Sequence, residues 1–299
     1  IATRKTPIDF FSWHFYTNNA ALLTTIAGDM RKKLDSVGLT HVEQHVTEWF
    51  TGMLNPSENS VGDAAAVGGI LSRMVQSGIA LSTLYPDCDG GEGKTGNTGW
   101  GLFDQESHPG LVTWRPLTHA FAFFGEIAQT TPTVLPVVAQ QEVGYTVLAG
   151  RANGTLKMLF SAQTTAASGV SLAVSGAGTS SWRWSVSIVD AAHLEPAAVA
   201  GGIVAPAAGG KLSLDFPLVA PAVALLSMEQ LDAGCVDALE QACGAEKSSV
   251  FDCAEGAGTN QRVLTSAGCD NEAISHWCAG TTTTLKTDEP GLRAPPPPS

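Results

Sequence analysis

Three times within the first 130 residues a short strand-like run is followed by an amphipathic helical period, and each helical stretch closes at, or leads into, a turn. Ile8 to Tyr16 (IDFFSWHFY) is an apolar and aromatic run. Leu22, Ile26, Met30 and Leu34 then recur at i+4, with Leu23 and Val37 beside them, and Gly38 stands where a helix C-terminus favours glycine. A second strand is expected over Val42 to Phe50, a small-residue helix over Asp63 to Gln76, and a third strand over Ile79 to Tyr85. Arg115 to Gln129 reads as a third helix, with Pro116 in its first turn and Leu117, Phe121, Phe124 and Ala128 on one stripe. Strand then helix, repeated, is the pattern of βα units around a parallel sheet. A closed (β/α)8 barrel takes about 250 residues, so three units are fewer than half of one.

The period changes after residue 130. Short segments such as Tyr145 to Ala149, Thr155 to Ala162, Trp182 to Val189 and Lys211 to Phe216, punctuated by Gly, Ala and Pro, predict an antiparallel β-sandwich over 131–230. Residues 231–280 hold five of the six cysteines, at 235, 243, 253, 269 and 278, without the close pairs of a structural zinc site. A segment of about 50 residues has too little core to fold unstapled, so disulfides among these cysteines are expected, and with them an extracellular or secretory location. Leu239, Val250, Phe251, Val263, Leu264, Ile274 and Trp277 are the expected small core. Because five is odd, one cysteine is free, pairs with Cys88, or pairs outside the chain. Residues 281–299 form a Thr/Pro-rich linker, and the chain reads as a piece of something longer.

Sixteen Lys and Arg against 28 Asp and Glu give a net charge of −12. That balance lacks the basic footprint of nucleic-acid binding, so no nucleic-acid partner is expected. No run of about 18 apolar residues is present to span a bilayer. With 44% hydrophobic residues the chain has apolar surface enough to fold.

The most informative stretch is Val42-Glu43-Gln44-His45-Val46-Thr47-Glu48-Trp49. Strand period 2 places Val42, Gln44, Val46 and Glu48 on one face. If Val46 faces a barrel interior, Glu48 is the inward residue at the carboxyl end, where barrel active sites lie. In the first strand Ile8, Phe10, Ser12, His14 and Tyr16 share a face, which aims an imidazole and a phenol at the same mouth. The bland alternatives are a rim glutamate in a salt bridge, a satisfied core histidine and an aromatic loop edge. Other signals are weaker. Gly93-Lys94-Thr95 lacks the first glycine of a phosphate loop, and His41 and His45 stand on a strand where a zincin needs a helix. Asp87, Asp89 and Glu92 lack calcium-loop spacing. Asn153-Gly154-Thr155 is a glycosylation sequon at a turn, and Trp100 and Trp114 are either packed aromatics or stacking surfaces for a ligand ring.

The run DFFSWHFY, a helix, LTHVEQHVTEWF, and then GLFDQ and TWRPLTHAFAFFGEI ahead of β segments resembles the second half of a clan A glycoside hydrolase. Within the clan the resemblance is to family 39, the β-xylosidases and α-L-iduronidases. It implies an α/β then all-β chain: the last three βα units of a (β/α)8 TIM barrel over 1–130, a β-sandwich over 131–230 and a cysteine-rich module over 231–280. By the same resemblance Glu48 is the nucleophile of a retaining glycosidase. His14 and Tyr16 match sixth-strand positions lining the substrate site, and the partner is an oligosaccharide or glycoside. No metal or organic cofactor is implied. The family's acid/base glutamate follows an Asn, and the single Asn-Glu here, Asn271-Glu272, falls in the cysteine-rich segment. The chain is therefore expected to supply the nucleophile but not the acid, and to be inactive alone. The rival expectation is a non-enzymatic carbohydrate-binding or matrix protein on a degenerate glycosidase scaffold.

Overall fold

The computed structural model describes residues 7–51, 61–85, 102–104, 113–138, 145–164, 169–243, 253 and 257–278. Cys88, the loop bearing Asp87, Asp89, Glu92 and Gly93-Lys94-Thr95, Trp100, Val250, Phe251 and the 281–299 linker lie outside the described residues.

Strand β1 (Phe10–Tyr16), helix α1 (Ala20–Ser36), β2 (Glu43–Phe50), α2 (Val61–Gln76) and β3 (Leu81–Leu84) alternate along the chain. The strands form a parallel sheet in the order β1-β2-β3. Asn19 caps α1 by accepting from the Ala21 amide, and Gly38, at φ 78°, takes the left-handed turn out of it. The Arg31 guanidinium then pins the turn, donating to the Leu39 and Val42 carbonyls at 2.6 Å each and to Asp35 at 2.8 Å. Helix α3 (Pro116–Thr130) starts on its proline and packs with α1 and α2 on one face of the sheet, burying Leu23, Val46, Trp49, Ile70, Leu117 and Ile127.

The helical stripes differ from expectation by a rotation. In α3 the buried row is Leu117, Ala120, Phe123 and Ile127, with Phe121 and Phe124 half-buried and Ala128 exposed. In α1 it is Ala20, Leu23 and Ala27, while Leu22 and the neighbouring Val37 are exposed. Both helices are apolar over more than one row. Which row turns inward is decided by the surfaces they meet.

The remaining strands are β4 (Phe103–Asp104) paired with β5 (Thr113–Trp114), then β6 (Thr133–Leu135), β7 (Tyr145–Ala152), β8 (Thr155–Ala162), β9 (Gly169–Val174), β10 (Trp182–Asp190), β11 (Ala197–Val204), β12 (Leu212–Pro217) and β13 (Ala222–Gln230). A six-stranded antiparallel sheet runs β11-β10-β13-β8-β7-β6, and β12 pairs with β9 in a second sheet. Alternation in β12 sends Leu212, Leu214 and Phe216 into an apolar cluster with Phe160, Trp184, Val186 and Leu226 of the larger sheet. Strands β8 and β13 are buried along nearly their whole lengths because α2 and α3 cover their other face, where Leu159, Val223 and Leu225 join the helical core. Helix α2 can lie this close through Gly68 and Gly69. A Cβ on Gly68 would stand 3.0 Å from Val223 Cγ2, and one on Gly69 3.2 Å from Ser161 Oγ and 3.3 Å from Ala20 Cβ.

Past β13 come α4 (Ala233–Cys243), α5 (Gln261–Ser266) and α6 (Asn271–Cys278). Two disulfides, Cys235–Cys269 and Cys253–Cys278, staple them around Leu239, Leu264, Ala273 and Trp277. Val263, expected in that core, is 56% exposed, one position out of phase with fully buried Leu264. The module sits on the six-stranded sheet through Ile203 and through Arg183 of β10, which binds Glu229 of β13 and Asp270 before α6.

Candidate active site

His14 and Tyr16 stand at the carboxyl end of β1, and Glu48 stands beside them near the carboxyl end of β2. The Tyr16 hydroxyl donates to Glu48 Oε1, and His14 Nδ1 lies 3.8 Å from Glu48 Oε2. The His14 and Glu48 side chains are 57% and 34% exposed, so the group opens to solvent. Tyr16 is held well above the usual phenol range, first by burial, then by its bond to the Glu48 carboxylate and by the charge of Glu48, with a smaller effect of Tyr85. The hydroxyl thus stays a donor at neutral pH.

The strand reading brings the three residues together, but its route to Glu48 is corrected. Gln44 and Val46 face the helices: Val46 is fully buried in the helical core, and the Gln44 amide donates to the Ala27 carbonyl of α1 at 3.1 Å. Glu48 is on the other face because the register shifts within β2. Trp13 pairs with Val46 and His14 pairs with Glu48, leaving Thr47 as an inserted residue. The insertion inverts the alternation, so Trp49 becomes the helix-side residue, fully buried against Phe121. Without it, period 2 carries Glu48 into the apolar layer with Val46.

The face carrying Glu48 also bears Phe10 and His45, whose rings stack at 4.5 Å, and His45 Nε2 is 3.0 Å from Glu43 Oε2. His41 plays no part in that pair. Among the described residues no group of three or more His, Cys, Asp or Glu side chains is placed to hold a metal. Tyr85, half-exposed just past β3 and tied by its amide to the Trp49 carbonyl at 3.0 Å, also borders the site. Its position at a strand's carboxyl end was the signal that could have marked it. Trp114 lies elsewhere, half-exposed beside His119 and lining an apolar groove along α3 with Leu102, Thr118 and Phe121. Glu272, of the Asn-Glu pair, is in α6 at 3.6 Å from Arg183.

No protein-family model matches the sequence, and none of the curated proteins matches it. Solved structures do match. A glucosidase from Croceicoccus marinus superposes with a TM-score of 0.61 at 20% identity, over 77% of this chain and 55% of its own. A family 39 glycoside hydrolase from Xanthomonas axonopodis pv. citri gives 0.55 at 13% identity, over 76% and 56%. A family 44 endoglucanase from a Clostridium gives 0.53 at 11% identity, over 74% and 47%. At these identities the likeness establishes the fold, that of glycoside hydrolases. The chain spans about half the length of each of these structures.

Proposed function

We propose that this chain is the nucleophile-bearing part of a retaining glycoside hydrolase of the family 39 type, its three βα units belonging to a (β/α)8 barrel and its β sheets to an accessory sandwich. The observation that carries the reading is the Glu48 carboxylate, held by Tyr16 at Oε1 and left open at Oε2, at the carboxyl ends of adjacent parallel strands. Oε2 stands beyond hydrogen-bonding distance of His14, so it is the oxygen that neither Tyr16 nor His14 occupies with a hydrogen bond. It attacks the anomeric carbon, the bond to the leaving oxygen breaks, and an acid protonates that oxygen. Water then cleaves the glycosyl ester with the same group acting as base. His14 and Tyr16, beside the carboxylate, are the side chains that flank the sugar ring.

Retention requires a second carboxyl group about 5–5.5 Å from the first. Glu43 does not meet that demand: it is five positions nearer the amino end of β2, ~16 Å along the strand, and is engaged with His45. By the family resemblance the acid, a glutamate that follows an asparagine, belongs to the share of the glycosidase architecture that this chain does not cover. The substrate is a glycoside or oligosaccharide, and the two disulfides fit a secreted enzyme. Assaying the complete protein on aryl glycosides tests the proposal, with Glu48→Gln reducing turnover by about a thousandfold or more. Equal turnover in the variant would remove Glu48 from the mechanism. No turnover by either protein, with retained sugar binding, would favour the non-enzymatic carbohydrate-binding reading.

A further inference from the structure

Asn153 and Gly154 form the two-residue turn that joins β7 to β8, closed by the pair Ala152 and Thr155. Their φ angles of 28° and 78° are the pair of positive values that a tight hairpin requires, and Asn-Gly is the sequence best suited to them. The turn accounts for those two residues. Thr155 completes an Asn-x-Thr acceptor, and no other Asn-x-Ser/Thr without an intervening proline occurs in the chain. Asn153 is exposed, and its side chain makes no hydrogen bond among the described residues. Gly154, by contrast, is held: its carbonyl accepts from the Gln230 amide at 2.8 Å. The acceptor nitrogen is thus presented on a rigid, solvent-facing tip.

We propose that Asn153 carries an N-linked glycan. Its amide nitrogen attacks the first sugar's anomeric carbon in a lipid-diphosphate-linked oligosaccharide. The carbon–oxygen bond to the diphosphate breaks, the lipid diphosphate leaves with the bonding electrons, and the nitrogen gives one proton to a base. The disulfides Cys235–Cys269 and Cys253–Cys278 form in the same oxidising compartment in which that transfer occurs. The position leaves the Glu48 site clear. Strand β8 is eight residues long, so its two ends lie ~25 Å apart. The far end, not the tip, is the one near the β1 mouth, where Gln163 donates to the Asn18 carbonyl at 2.7 Å.

The test is peptide mapping of the protein secreted by its own source organism, treated with a peptide-N-glycosidase in heavy-oxygen water. The peptide spanning residue 153 is expected to carry a glycan, and after treatment to hold a heavy-oxygen-labelled aspartate. In a eukaryotic secretory host, Asn153→Gln and Thr155→Val should both run at the deglycosylated mass. The second keeps the Asn-Gly turn and a β-branched strand residue, so a loss common to both reports the modification and not misfolding. An unmodified Asn153 in the source protein, or a glycan that survives Thr155→Val, would overturn the proposal.

Discussion

Tyr16 and Glu48 form a donor and acceptor pair in which the phenol keeps its proton because burial disfavours its charged form and the carboxylate beside it accepts its hydrogen bond and opposes a second negative charge. A hydrogen bond to a charged group contributes about 1.5–3 kcal/mol, so on the proposed mechanism Tyr16→Phe in the complete protein should lower kcat/KM by about 10- to 150-fold, with KM changing least. The pH dependence follows from the sign of the shift. The phenol is raised above its unfolded value of about 10, so its contribution to stability is complete below about pH 10 and disappears as the pH climbs through the higher folded value. Of the three tyrosines, Tyr16 and Tyr145 are both raised, Tyr145 by burial alone. Alkaline ultraviolet titration of the folded protein should therefore show two late-ionising phenols, and Tyr16→Phe should remove one. At this scale the sequence was legible where alternation is unbroken: His14 and Tyr16 share a face of β1 as period 2 dictates. It misled at Val46, because a one-residue insertion at Thr47 leaves no mark in side-chain type.

Elements were legible where one face meets water and less so where both are covered. Strand β12 alternates and announces itself. In β13 the run Ala222 to Leu226 is buried throughout, between a helical layer and an apolar sheet, and such a run carries no period to read. The glycines that permit this layering are testable. A Cβ on Gly150 in β7 would collide with the Thr131 carbonyl, so Gly150→Ala should cost about 1–3 kcal/mol and lower the urea midpoint. In α1 a Cβ on Gly28 meets nothing within 4 Å, and Gly28→Ala should raise stability by about 0.5–1 kcal/mol. The α6 attachment is sensitive to acid. Burial pushes Asp270 up, but the Ala273 amide and the Arg183 guanidinium outweigh it and hold the carboxyl below its usual value. Stability from this contact is present above about pH 3.9, the unfolded value, and is lost as pH falls through the lower folded one. Hydrogen exchange in α6 should quicken over that acid range, and Asp270→Asn should remove the dependence.

For the whole molecule, chain order carried most of the information. Parallel βα units, then antiparallel sheets, then a disulfide-stapled helical segment follow one another as the changes of period imply. What order could not convey is that α2 lies between the two sheet systems and joins them in one core, since that depends on the close approach of Gly68 and Gly69 to neighbours distant in sequence. The open face of the parallel sheet has a consequence at this scale. Phe10 and Leu81 remain nearly half-exposed there. On the proposed division of the site, residues 1–299 expressed alone should show no hydrolysis of unactivated glycosides, because a nucleophile without its acid cannot expel an unactivated alcohol. In the proposed mechanism Glu48 bonds covalently to sugar. Exposing the complete protein to a 2-deoxy-2-fluoroglycoside with an activated leaving group, which slows release of the glycosyl ester, and mapping the modified peptide by mass spectrometry tests it. One fluoroglycosyl group is expected on the Glu48 carboxylate, absent in Glu48→Gln. A label on another carboxylate, or a glycoside hydrolysed with inversion and no label at all, would contradict it.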